Sequence, residues 1–116
     1  MQAKMYNWNG WVKETRPDYL NAFYKKLLLK SGFHIRKEIH EFFDPYGFTA
    51  LYLLSESHFA IHTFPEESKT YIEISSCVKQ YFDEFMKLIG AAEYECSANA
   101  SELPMQHGGI YGQGEG

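Results

Sequence analysis

Basic charge is scarce in this sequence. Eleven Lys and Arg stand against fifteen Asp and Glu, a net charge of −4 over 116 residues. The cations are scattered, so the basic stripe of a nucleic-acid binder is missing. The acidity is too slight to call for a cationic partner. Long hydrophobic runs are missing as well. No apolar stretch reaches the roughly 18 residues from which a membrane span is read. Met1-Gln2-Ala3-Lys4-Met5-Tyr6 lacks the apolar core of a signal peptide. Cysteine is limited to Cys77 and Cys96, too few and too far apart for a zinc motif or a disulfide framework. Both are expected as reduced thiols in a cytoplasmic protein. His34, His40, His58, His62 and His107 show no metal-ligand spacing, so no metal is expected.

What is present is apolar and aromatic. Hydrophobic residues make up 45% and aromatics 17%, with nine Tyr and nine Phe. That fits one globular domain over 1–98, rich in β structure. Tyr6, Trp8, Trp11 and Val12 mark a first strand over 5–14, with Asn9-Gly10 as a bulge or turn. Tyr19, Leu20, Phe23, Leu27 and Leu28 fall at helical spacing, which predicts a helix over 17–31 stopped at Ser31-Gly32. A second strand is read over 33–43, with imperfect alternation, and Asp44-Pro45-Tyr46-Gly47 is a turn. Strands follow over 48–55, 58–64 and 70–77, with a turn at 65–68 between the last two. A second helix is expected over 78–89, closed by Gly90, then a last strand over 92–98. Residues 99–116 read as a Gly-rich flexible tail. The order β-α-β-β-β-β-α-β predicts an α+β two-layer sandwich, mostly antiparallel, with both helices on one face.

The chemistry concentrates in Leu53-Leu54-Ser55-Glu56-Ser57-His58-Phe59-Ala60-Ile61-His62-Thr63-Phe64-Pro65-Glu66. A strand that only lined a core would not need Ser-Glu-Ser-His at its centre. Side chains alternate in a strand, so Thr49 shares a face with Leu51 and Leu53, and His58 with His62. Tyr71, Glu73, Ser75 and Cys77 oppose the apolar set Ile72, Ile74 and Ser76. With antiparallel, in-register pairing, Thr49, His62 and Cys77 are expected together on the uncovered face. Ser57 lies at the junction of two strands, where a backbone can be strained. Singly, each residue has an ordinary reading: a turn serine, a surface histidine, a small buried thiol, a solvated glutamate.

Together they carry more. Ser55-Glu56-Ser57-His58, Ile61-His62-Thr63-Phe64-Pro65-Glu66 and Ser76-Cys77 resemble the pattern of the prokaryotic S-adenosylmethionine decarboxylase proenzymes. The twenty residues from Ser57 to Cys77 match that family's spacing. The resemblance implies that the chain cuts itself between Glu56 and Ser57, into chains 1–56 and 57–116. Ser57 would attack the Glu56 carbonyl to give an ester, with Thr49 as a processing aid. His62 would remove the α-proton of residue 57. Elimination and loss of ammonia would leave a pyruvoyl group, the cofactor, in place of Ser57. No side chain carries a carbonyl electron sink, and this group supplies one without pyridoxal phosphate. Cys77 is implied as the proton donor, since a thiol of pKa near 8.5 is mostly protonated at neutral pH. Glu66 is implied to bind the ribose hydroxyls and Phe43 to stack on the adenine. The product would be the aminopropyl donor for spermidine synthesis. A homodimer with sites near the subunit interface is implied too.

The sequence departs from the pattern in places. Phe64 stands where Trp is common, Val78 where Gly is usual, and Thr49 where the family has Ser. Asn7-Trp8-Asn9-Gly10-Trp11 is an unusual run. Arginine or ornithine therefore stays open as an alternative substrate, and so does a non-catalytic, ligand-binding or regulatory relative.

Overall fold

The structure is a computed structural model, and it describes residues 3–95. Five strands and two helices run β1 (Tyr6–Val12), α1 (Pro17–Ser31), β2 (Lys37–Phe42), β3 (Phe48–Leu54), β4 (Ser57–Phe64), β5 (Lys69–Ser76) and α2 (Lys79–Glu95). A single 3₁₀ turn, Pro65–Glu67, joins β4 to β5. The strands form one antiparallel sheet in the order β1-β5-β4-β3-β2. This is the expected α+β sandwich.

Alternation fixes the two faces. Trp8 and Val12, Phe48, Ala50, Tyr52 and Leu54, Phe59 and Ile61, and Ile72 and Ile74 all turn one way and are buried. Leu20, Tyr24, Leu27 and Leu28 of α1 join that core, as do Phe82, Phe85 and Ile89 of α2. Phe59 sits at the junction of the layers, with ring contacts to Tyr24, Tyr52 and Phe85. Buried polar groups on this face are satisfied, as burial requires. Thr63 Oγ1 accepts from the Phe48 N–H at 2.9 Å, and the Thr70 hydroxyl donates to the Glu14 carbonyl at 2.6 Å. Among the described residues the opposite face has no helix over it, and Ile39, Leu51, Leu53 and Phe64 are exposed there.

Helix α1 starts and stops where its chemistry says. Pro17 occupies the first turn, where its missing N–H costs nothing, and Asp18 suits the positive end of the dipole. Gly32 closes the helix at φ 113°, with its N–H to Leu29 and that of Phe33 to Leu28, both 3.1 Å. A Cβ on Gly32 would also come within 2.7 Å of the Tyr81 ring. Glycine is required there twice over.

Four expectations change. Strand β2 begins at Lys37 rather than 33, because the Phe33 N–H is spent on closing α1. All six residues of β2 are exposed; no layer formed by the described residues covers this edge, which explains its poor alternation. Asn9-Gly10 makes no bulge or turn, since β1 pairs with β5 unbroken from Tyr6↔Ser76 to Val12↔Thr70. Helix α2 does not stop at Gly90 but continues to Glu95, so residues 92–95 are helical and not strand. Gly90 is in open space without a left-handed φ, and Ala91-Ala92-Glu93 are good helix formers that carry the turn on. Residues 96–98, Cys96, His107 and the tail 99–116 lie outside the described residues. Among the described residues no helix is long and apolar enough to cross a membrane.

Candidate active site

Two groups of polar side chains stand at opposite ends of β4. The first surrounds the β3–β4 hairpin. Its loop is only Ser55 and Glu56, between the paired Leu54 and Ser57. Ser55 takes φ 69°, a left-handed conformation uncommon outside glycine, asparagine and aspartate. The backbone is therefore held at some cost one residue before the Glu56–Ser57 bond.

Odd-numbered residues of β4 face the helices, so Ser57 points inward and is only 2% exposed. His58 pairs with Ser75, which sets Ser57 beside Ser76. The Ser57 hydroxyl donates to Ser76 Oγ at 2.9 Å. Ser76 is fully buried, and its Oγ also accepts from the Val78 N–H at 2.9 Å. One residue further, half-buried Cys77 leaves β5 beside the hairpin tip, and its thiol donates to Glu56 Oε1 at 3.3 Å. That hydrogen bond, followed by desolvation and the carboxylate charge, pushes the thiol pKa above its ordinary value. A hydrogen-bond contribution from Ser57 acts the other way.

The second group lies on the uncovered face. Thr49 and His62 are register partners, and Thr49 Oγ1 is 3.0 Å from His62 Nδ1. The His62 ring stacks on Tyr71, its register partner on β5, with centroids 6.1 Å apart. Tyr71 donates to Glu73 at 2.8 Å; burial first, and then Glu73, raise its phenol pKa to about 12. Trp11 packs against both Tyr71 and Phe64, and the Lys69 ammonium sits 4.3 Å from the centre of the Trp11 indole. Glu66 is exposed in the 3₁₀ turn just beyond β4. Phe43, half exposed, follows β2, with its N–H bonded to the Gly47 carbonyl. Both stand at the Thr49–His62 end, away from Ser57.

The expected meeting of Thr49, His62 and Cys77 does not occur within one chain. Thr49 and His62 do meet. Cys77, however, lies six residues past Tyr71, the partner of His62, and so stands about 20 Å along the sheet at roughly 3.3 Å per residue. It joins Glu56 and Ser57 instead. His62 is also separated from Ser57, by five residues, or about 16 Å, and by the thickness of the sheet, because the two differ in parity. Ser76 and Tyr71 were given no role from the sequence. A serine ending the buried set Ile72, Ile74, Ser76 was the available signal for the first. Tyr71 had none beyond its face. Among the described residues no three His, Cys, Asp or Glu side chains group as metal ligands.

Comparison with known proteins bears on this arrangement. The sequence model of the S-adenosylmethionine decarboxylase family matches residues 12–99. The S-adenosylmethionine decarboxylase proenzyme 2 of Bacillus cereus is 47% identical over 47 residues, 40% of this chain and 38% of that protein. The S-adenosylmethionine decarboxylase proenzyme of Geobacillus kaustophilus is 37% identical over 60 residues, 52% of this chain and 48% of that one. The matched stretches thus span less than half the length of these relatives. Among solved structures, the adenosylmethionine decarboxylase of Aquifex aeolicus superposes with a TM-score of 0.58 over 75% of this chain and 81% of that one. Its identity is 15%, so it shows a shared fold. The family match takes in the hairpin, the β4 histidine and the β5 thiol in one run, and by it the chain belongs to the S-adenosylmethionine decarboxylase family.

Proposed function

We propose that this chain is a proenzyme that cuts itself between Glu56 and Ser57 and then decarboxylates S-adenosylmethionine through a pyruvoyl group formed from Ser57. The observation that carries the reading is the hairpin tip. There a buried, hydrogen-bonded serine follows a left-handed residue by two positions, with a thiol that donates to the Glu56 side chain.

Self-cleavage needs only this chain's own atoms. Ser57 Oγ attacks the Glu56 carbonyl, the C–N bond breaks as the C–O bond forms, and the hydroxyl proton ends on the residue 57 nitrogen, which is freed as an amine while the amide becomes an ester. A base takes the α-proton of residue 57, and Glu56 leaves as a carboxylate. Hydrolysis of the unsaturated residue left behind releases ammonia and gives the pyruvoyl group. For His62 to be that base through Nε2, its Nδ1 must carry a proton and donate it to Thr49 Oγ1, the contact at 3.0 Å. The pyruvoyl group, once formed, supplies the carbonyl that takes up the substrate amine and receives the electron pair left by carbon dioxide. The residues around position 57 fit it: Ser57 is buried, and the Cys77 thiol beside Glu56 holds a proton for return to the substrate α-carbon. Glu66, which stands away from Ser57 in its own chain, is the proposed ribose contact to a substrate held at position 57 of a second copy, and Phe43 lies at the same end. Phe43 offers a face to the adenine and, by cation–π attraction, to the sulfonium. A working free thiol fits a reducing, cytoplasmic compartment.

Because His62 does not reach Ser57 in its own chain, we place the complete site in a homodimer. A two-fold axis lying between two stacked open faces, and crossing the strands, reverses β4. The Thr49–His62 pair of one copy then lies over the Ser57 end of the other. Leu51 and its partner Ala60, midway along the ladder, fall near such an axis. The exposed Ile39, Leu51 and Leu53 supply apolar surface for it.

Intact mass of the purified protein tests the reading. Two chains divided between Glu56 and Ser57 are expected, with Ser57→Ala blocking the division. Carbon dioxide release is then expected from S-adenosylmethionine and not from arginine or ornithine. A chain that stays whole at 13.5 kDa after long incubation would sink it.

A further inference from the structure

We propose that Ser76 is a positioning residue for self-cleavage: its hydroxyl fixes the Ser57 hydroxyl in the one orientation from which Ser57 Oγ attacks the Glu56 carbonyl. The inference rests on the cleavage proposed above and adds a residue to it. Ser57 and Ser76 are 2% and 0% exposed, so water does not compete for either oxygen. A hydroxyl has one proton to donate and two lone pairs. The Ser57 proton goes to Ser76 Oγ at 2.9 Å, which leaves the Ser57 lone pairs free to face the carbonyl carbon. Ser76 is held in turn. Its oxygen accepts from the Val78 N–H at 2.9 Å as well, and its own proton reaches the Val78 carbonyl at 3.4 Å. With both lone pairs and the proton engaged, Ser76 does not swing, and neither does the hydroxyl bound to it.

The anchor has depth. The Val78 carbonyl also receives the Phe82 N–H at 3.0 Å, the first backbone bond of α2. The nucleophile is thereby tied through Ser76 to the start of a helix whose Phe82 and Phe85 are buried in the core. A free serine samples three staggered rotamers. Selecting one before reaction removes an orientational cost that an unanchored side chain meets at each attempt. Ser76 itself exchanges no proton with the reacting atoms in the resting state beyond this bond. Its part is to aim Ser57.

The test follows the division of full-length Ser76→Ala and Ser76→Thr precursors by intact mass, beside the parent chain. Alanine removes the oxygen without adding bulk, and threonine keeps it. Rates are taken at temperatures where circular dichroism shows each variant folded, which separates aim from stability. The Ala variant is expected to divide about tenfold more slowly or worse, and the Thr variant to recover most of the parent rate. Division of the Ala variant at the parent rate, or equal slowing of both variants, overturns the assignment while leaving the proposed function standing. A parent chain that does not divide overturns the function, and this inference with it.

Discussion

Glu56 and Cys77 hold each other across the bond that is proposed to break. The carboxylate stabilises the neutral thiol by accepting its proton and would repel a thiolate formed beside it. Cleavage adds a second carboxylate at Glu56, its new chain end, without removing the first. Glu56→Gln removes the charge and keeps the shape, so the thiol pKa falls and the proposed proton donor is lost at lower pH. The alkaline limb of the kcat profile is expected to move to lower pH, with little change near neutrality. A limb that stays in place would mean that Glu56 does not govern the thiol. Glu56, Ser57, His62 and Cys77 stand out together in the sequence because the motif segments follow one another at a fixed spacing. Their grouping in space does not. Parity says which face a side chain takes, and Thr49 and His62 did meet as parity allowed. It does not say how far along the sheet a residue lies, and Cys77 proved to belong to the hairpin. Ser76 stands in the motif beside Cys77, but a serine in line with Ile72 and Ile74 looks like filler until its partner is known.

At the scale of elements, two glycines near helix ends carry opposite expectations. Gly32 has φ 113° and the Tyr81 ring 2.7 Å from where a Cβ would lie, so Gly32→Ala is strained and crowded together. It should destabilise the fold by about 1–3 kcal/mol. Gly90 lies inside α2 with open space around it and no left-handed φ. There Gly90→Ala should stabilise by about 0.5–1 kcal/mol, since it removes freedom from the unfolded chain only. Thermal or urea denaturation of the two variants reads both signs, and a Gly90→Ala variant less stable than the parent would contradict the helical path. The same pair shows what the sequence could tell. Both glycines look like stop signals. Only at Gly32 does Phe33, a large apolar residue beyond the stop, fold back to close the helix and pack its ring 5.3 Å from Tyr81. After Gly90 come Ala91-Ala92-Glu93, and local propensity carries the helix through. Strand β2 misled for the converse reason, because an edge with both faces exposed has no buried side to impose a period.

For the whole molecule, the decisive fact is that the sheet separates the nucleophile from its proposed base. The face toward the helices holds Ser57, and the open face, about 16 Å along β4, holds His62. No side-chain rotation closes that gap, because an imidazole reaches only a few ångströms from its Cα. Two copies stacked face to face remove the offset along the strand by symmetry, each lending its Thr49–His62 pair to the open side of the other's hairpin, where the proposed base has to reach the α-carbon of residue 57, in the plane of the sheet, and not its inward hydroxyl. Exposed Leu51, near the midpoint of the ladder, would then be buried at the interface, and Leu51→Glu should shift the protein toward monomer in sedimentation and slow its division together. Complementation separates a shared site from mere stability. Ser57→Ala protein keeps a good His62 but cannot be cut, and His62→Ala protein keeps a good Ser57 but lacks its base. Each alone should stay whole. Refolded together they form mixed dimers, in which the intact histidine of one chain faces the intact serine of the other. The His62→Ala chain should then divide and the Ser57→Ala chain should not, with up to half of the first consumed at equal mixing if dimers assort at random. If neither chain divides in a mixture shown by native mass spectrometry to contain the mixed dimer, His62 acts within its own chain or not at all. The stacked arrangement would then have to be given up.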